Sequence, residues 1–148
     1  MTVKVLIADD QPLMRTGFRM ILHATDDLRV VGEASDGAQA AEGAATLQPD
    51  VVLMDVRMPG TDGIEGTRRI VASTPATRVL ILTTFDVDEY AFTALRAGAS
   101  GFLLKDVPPD QLVDAIRAVA SGDAVVSPRI TRQLLDRYAS WLSPAGDG

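Results

Sequence analysis

The sequence predicts an α/β fold: a doubly wound sheet of five parallel strands with helices on both faces, plus one extra helix at the carboxyl end. Three observations carry this. Short apolar runs and longer amphipathic stretches alternate five times between Val3 and Gly122, and strict alternation implies a parallel sheet with right-handed crossovers. The run Val51-Val52-Leu53-Met54 is wholly apolar and Val3–Ala8 nearly so, as suits strands covered on both faces. Four of the five runs end in a polar residue, at Asp9-Asp10, Asp55, Thr83 and Lys105.

Val3–Ala8 reads as the first strand, and Pro12 opens a helix reaching about Ala24, since proline suits a first helical turn. Leu28–Glu33 is a short strand, after which Ser35 and Asp36 offer caps for an alanine-rich helix to about Leu47. Val51–Met54 is the third strand, and Thr61 or Asp62 caps a helix to about Ser73. Arg78–Leu82 follows as a strand. A helix starting at Asp86 or Asp88 is stopped by Gly98 in a left-handed cap. Gly101–Leu104 is the last strand. Pro108-Pro109-Asp110 then opens a helix with Leu112, Ile116, Val119 and Ala120 on one face, closed by Gly122.

Beyond it, Ser127 and Pro128 start a further amphipathic helix over 127–142, with Ile130, Leu134, Leu135, Tyr138, Trp141 and Leu142 on its apolar face. An isolated helix of that length is marginal in water, so this face is expected to dock on the domain or on a second copy. The expected boundaries are a domain over 1–123 and a linker helix over 124–148, running out in Ser143-Pro144-Ala145-Gly146-Asp147-Gly148.

At 148 residues and 47% hydrophobic, the chain can bury a core. It has no run long enough to span a membrane, no secretory leader pattern at its start and no cysteine, which fits a cytoplasmic protein. The net charge is −6. Residues 1–126 carry 18 acidic and 11 basic side chains, a net of −7, so this part alone would repel a phosphate backbone.

The polar strand ends share a chemistry. In a doubly wound sheet they lie along one edge, where sites form. Two carboxylates about 4 Å apart repel by roughly 4 kcal/mol at an effective dielectric near 20, a large share of a typical domain stability of about 5–15 kcal/mol. A divalent cation removes the conflict, and Mg²⁺ favours one or two carboxylates with water and phosphate oxygens. Asp10 and Asp55 are the expected direct ligands, with Asp9 direct or through water. Asp55 is the expected nucleophile toward phosphorus. Thr83 offers a hydroxyl and Lys105 a positive charge to phosphoryl oxygens. Singly, each placement has a plainer explanation: a helix cap, a turn residue, a solvated lysine. Those explanations do not account for all four together, in order, at the ends of four of the five strands.

Leu6-Ile7-Ala8-Asp9-Asp10, the stretch Val52 to Gly63 around Asp55, Leu82-Thr83-Thr84-Phe85 and Ala97 to Asp106 resemble the receiver domain of two-component response regulators. Phe85-Asp86-Val87-Asp88-Glu89-Tyr90, followed by Ala94 to Ala99, is similar to the NarL/FixJ subfamily. The resemblance implies a flavodoxin-like strand order 2-1-3-4-5. It also implies phosphorylation of Asp55 by a sensor histidine kinase, and a Mg²⁺ site of Asp9, Asp10, Asp55 and the Arg57 carbonyl. Thr83 and Lys105 would contact the phosphoryl group, with Phe102 as the aromatic switch, although a Phe in a central strand is ordinarily core. Such receivers usually precede a LuxR-type helix-turn-helix domain, so DNA contact and transcription control would come only through that missing part. Arg57 and Thr84 flank the route of attacking water and should tune the phosphate's lifetime. Many receivers place Pro directly after the lysine. Here Asp106 and Val107 intervene, so no cis bond is expected there.

The chain is expected to be a switch rather than an enzyme, self-catalysing gain and loss of phosphate. The alternative is a natural single-domain receiver acting in a phosphorelay or as an interaction module, and a homodimer is possible. An aspartate-nucleophile phosphatase would carry a second Asp two residues after Asp55, where Arg57 stands. A flavin carrier would cradle phosphate after the first strand, where Asp9-Asp10-Gln11 would repel it. His23, the only histidine, shares i, i+4 spacing with Arg15 and Arg19 and reads as surface.

Overall fold

The computed structural model describes residues 2–83 and 93–126. Its elements run β1 (Val3–Ala8), α1 (Pro12–His23), β2 (Leu28–Ala34), α2 (Gly37–Leu47), β3 (Val51–Asp55), α3 (Gly63–Ser73), β4 (Arg78–Thr83), β5 (Gly101–Leu104), α4 (Pro109–Ala120) and β6 (Val125–Val126). All strand pairings are parallel. The order β2-β1-β3-β4-β5-β6 contains the expected 2-1-3-4-5 sequence.

The sixth strand was not expected. Val125–Val126 pairs with Gly101 and Phe102 of β5, two residues past the expected boundary at 123. A two-residue strand is too short for periodicity to reveal. The expected helix over 127–142, with Trp141, lies outside the described residues. So do Thr84 and the start of the helix ahead of Gly98, although residues 93–96 are helical.

Alternation along each strand builds a core on both faces of the sheet. Leu6, Ala8, Val52, Met54, Ile81 and Phe102 face α2 and α3, meeting Ala40, Ala44, Ile64 and Ile70. Val5, Ile7, Leu53, Leu80, Leu82 and Leu103 face α1 and α4, meeting Phe18, Leu22, Leu112 and Ile116. The expected choices of helix cap are resolved. Asp36 accepts from the Gln39 N–H at 2.8 Å and Asp62 from the Glu65 N–H at 2.9 Å. Gly98 takes the expected left-handed conformation, at φ 108°.

Candidate functional site

Register places the site. Ala8 pairs with Met54, Asp55 with Leu82, and Thr83 with Leu104. The residues ending β1, β3, β4 and β5 therefore stand side by side at the carboxyl edge. There Asp10, Asp55, Arg57, Thr83 and Lys105 line a cleft of about 410 Å³ together with Gln11, Met14 and Asp106.

Three carboxylates meet at this cleft. Asp9, Asp10 and Asp55 each present an oxygen within 4.8 Å of the others. Asp9 and Asp55 are buried, with Asp10 more exposed. Lys105 lies between two of them, its Nζ 2.8 Å from Asp9 Oδ2 and 3.2 Å from Asp55 Oδ1. Its backbone N–H donates to the Thr83 carbonyl at 2.7 Å, so β4 fixes the start of the lysine loop.

The charges bear on the ionisation of the site. Burial raises the Asp55 carboxyl above its ordinary value of 3.8; Lys105 opposes that rise, while Asp9 and Asp10 add to it. Burial alone would lower Lys105, but its hydrogen bond to Asp9 and the charge of Asp55 prevail and raise it above 10.5. All the donors in the acidic cluster are carboxylate oxygens, two of them buried. That is the hard, anionic set a small divalent cation such as Mg²⁺ takes, so the residues present fit one.

Asp9 does not cap α1, although an Asp pair after a strand often caps a helix. The N-cap residue is Gln11, without a side-chain cap bond, and Asp9 Oδ1 instead accepts from the Gln11 N–H at 2.9 Å. Behind Asp55 the chain turns tightly. The Gly63 N–H donates to the Val56 carbonyl at 2.9 Å, and a β-carbon at Gly63 would stand 1.9 Å from the Asp55 carbonyl oxygen. Only glycine permits that approach.

The structure therefore brings together Asp9, Asp10, Asp55, Arg57, Thr83 and Lys105. Phe102 is not among them. It is fully buried in the core toward α2 and α3. Thr84 lies outside the described residues. His23 is exposed on α1, away from the cleft. Sequence reasoning missed Gln11, Met14 and Asp106 as cleft residues. Gln11 directly follows the acidic pair and Asp106 directly follows Lys105, which was the available signal, whereas Met14 lies four residues beyond Asp10 on α1 and had none. No cis peptide bond occurs among the described residues.

Comparison with known proteins places the whole arrangement. The response regulator receiver domain model matches residues 5–117. A transcriptional regulatory protein from Bacillus subtilis, YxjL, is 51% identical over 83% of this chain and 56% of its own length. The oxygen regulatory protein NreC of Staphylococcus carnosus is 45% identical over 93% of this chain and 64% of its own. The chain thus spans somewhat over half the length of these relatives. A two-component response regulator of the LuxR family from Aurantimonas superposes with a TM-score of 0.87 at 35% identity, covering 94% of this chain and 99% of that one.

Proposed function

Since this chain belongs to the response regulator receiver family, with relatives of the NarL/LuxR type, we propose that it is a phosphorylation switch whose acceptor is Asp55. The observation that carries this is the meeting of the three carboxylates with Lys105 and Thr83 at one cleft. In the proposed reaction a carboxylate oxygen of Asp55 attacks the phosphorus of a phosphohistidine on a sensor kinase. The phosphorus–nitrogen bond breaks, its electron pair stays on the imidazole, and an acyl phosphate remains on Asp55.

Asp9, Asp10, Asp55 and the Arg57 carbonyl are the proposed holders of Mg²⁺. When bound, the cation supplies neutralising charge for phosphoryl oxygens. Lys105, already held against Asp55, meets a second phosphoryl oxygen as a fixed positive charge. Thr83 donates its hydroxyl to a third. That movement of Thr83 is the proposed start of the conformational change, biasing two states of the domain. Phe102, in the strand next to Thr83, is its proposed aromatic partner. Arg57, two residues after Asp55, and Thr84, next in sequence to Thr83, are the residues proposed to set the lifetime of the acyl phosphate.

The output proposed is control of a LuxR-type DNA-binding domain beyond this stretch of chain, in a cytoplasmic protein. Among the described residues no helix is long and apolar enough to cross a membrane. The test is incubation with acetyl phosphate and Mg²⁺. One phosphate, labile to hydroxylamine, should appear on the chain and be lost in Asp55→Asn. Undiminished labelling of that variant would remove Asp55 from the role.

A further inference from the structure

Asp9 is held at every polar atom, and one of its holders comes from an unexpected place. Its N–H donates to the Ala34 carbonyl at 3.0 Å. Its two carboxylate oxygens accept from the Gln11 N–H and from Lys105 Nζ. Its carbonyl lies past the last paired residue of β1, Ala8, where the sheet ladder offers no donor. Arg15, one turn into α1, fills that gap with an Nη1–O distance of 2.6 Å.

The guanidinium is itself held from the far side. Arg15 Nε donates to Glu33 Oε1 at 3.0 Å, and Arg19 Nη1 pairs with the other oxygen of the same carboxylate. Glu33 is fixed in β2 opposite Ile7 of β1. The Arg15 side chain is only 20% exposed. A partly buried guanidinium with donors committed in two directions has little freedom. It therefore ties α1, the end of β2 and the turn that carries Asp9 and Asp10 into one unit.

We propose that Arg15 is a positioning residue for the cation site, setting through the Asp9 main chain where the acidic pair stands. The proposal rests on the cation-site reading above. Arg15 touches none of the reacting atoms, and its effect should resemble that of outer-shell partners of metal ligands, whose loss typically weakens metal binding by about 10–100-fold. Because this contact is to a ligand's backbone rather than to its carboxylate, an effect near the lower end, about tenfold, is expected.

The experiment measures Mn²⁺ binding, as a spectroscopic substitute for Mg²⁺, by the paramagnetic resonance signal of the free ion. It compares the unmodified chain, Arg15→Met, Arg15→Lys and Arg19→Met, each checked for a cooperative thermal transition. Arg15→Met should bind Mn²⁺ about tenfold more weakly and need correspondingly more Mg²⁺ for labelling by acetyl phosphate, while reaching the same final extent at saturating metal. Arg15→Lys, which keeps a donor, should recover part of the affinity. Arg19→Met touches the same glutamate but not Asp9, so it should stay within about twofold, as surface ion pairs contribute little.

Equal Mn²⁺ affinity in folded Arg15→Met and the unmodified chain would overturn the inference and leave the cation site standing. A lower labelling extent at saturating metal would also overturn it, by showing a role beyond positioning. If Arg15→Met does not fold, Glu33→Gln, which retains one acceptor oxygen, decides: a weakening of severalfold supports the strut, and unchanged affinity rejects it. An unmodified chain that binds no Mn²⁺ overturns the cation-site reading itself.

Discussion

The two ends of β3 treat a carboxylate in opposite ways. At the amino end, Asp50 is answered by the backbone. Its Oδ2 accepts from the Lys4 N–H at 2.8 Å, its own N–H donates to the Lys4 carbonyl, and its carbonyl accepts from the Arg78 N–H. Beside it, the Thr77 hydroxyl donates to the Pro49 carbonyl at 2.8 Å. Asp50 staples three strands and meets no second carboxylate in the described acidic cluster. At the carboxyl end, Asp55 stands with Asp9 and Asp10, and the side chain of Lys105 partly offsets their charge. The first arrangement is finished by folding. The second leaves a conflict that a divalent cation or a phosphoryl group can relieve, and this separates a structural aspartate from the proposed phosphoacceptor.

Substituting the central cation should break the comparison most strongly. Lys105→Met removes the partner of two largely buried carboxylates and should cost about 3 kcal/mol in chelator at neutral pH. Mg²⁺ should restore more stability in this variant than in the unmodified chain, because it binds the folded site. Thermal unfolding with and without Mg²⁺ reads this. An equal Mg²⁺ shift in both would mean that the lysine does not offset the cluster.

Asp50→Ala should cost about 1 kcal/mol for the partly buried donor left behind, with a Mg²⁺ shift identical to that of the unmodified chain. A changed Mg²⁺ response would show that the two ends communicate. Asp10→Asn should move stability the other way, raising it in chelator by up to about 1 kcal/mol, since Asp10 is an exposed member of a like-charged cluster. Asp9 is the wrong place for that test, because its carboxylate is already committed to Lys105 and Gln11.

The smallest effect expected is at an ion pair distant from the cleft. Arg117 holds Asp27 with two contacts of 2.8 Å. The hydrogen bond from Arg117 holds the Asp27 carboxyl below 3.8. A lowered folded value stabilises above the unfolded value and loses that contribution as pH falls through the folded one. Asp27→Asn should therefore lower the melting temperature slightly at pH 6 and converge with the unmodified chain as pH falls through the lowered folded value. A constant difference across that range would reject the pairing.

Much of this was legible in the sequence because strands buried on both faces write themselves as apolar runs, and their polar endings mark the edge where the cleft lies. Asp55 stands out for that reason, as do Thr83 and Lys105. Helix caps were legible only as short choices, Ser35 or Asp36 and Thr61 or Asp62, because several residue types can cap and backbone geometry decides among them. Arg15 was not legible. Its partner Glu33 is distant in sequence, and the two meet only once β1 and β2 have paired, so spacing along α1 alone marked Arg15 as surface. β6 escaped because two residues carry no period. Phe102 illustrates the converse limit: burial in the core gives its ring a packing role whatever else it does.

The most direct test of the contrast between the two ends of β3 is the titration of the Asp55 carboxyl, followed by its carbon resonance in chelator and again with Mg²⁺. With a folded value raised above 3.8, Asp55 favours folding below the unfolded value and loses that contribution as pH rises through the folded one, so the cluster costs stability at neutral pH. The midpoint should lie above 3.8 in chelator and fall when Mg²⁺ is added, because a bound cation favours the ionised carboxylate. A midpoint at or below 3.8 in chelator, or one that Mg²⁺ does not move, would contradict the stored conflict at the carboxyl edge.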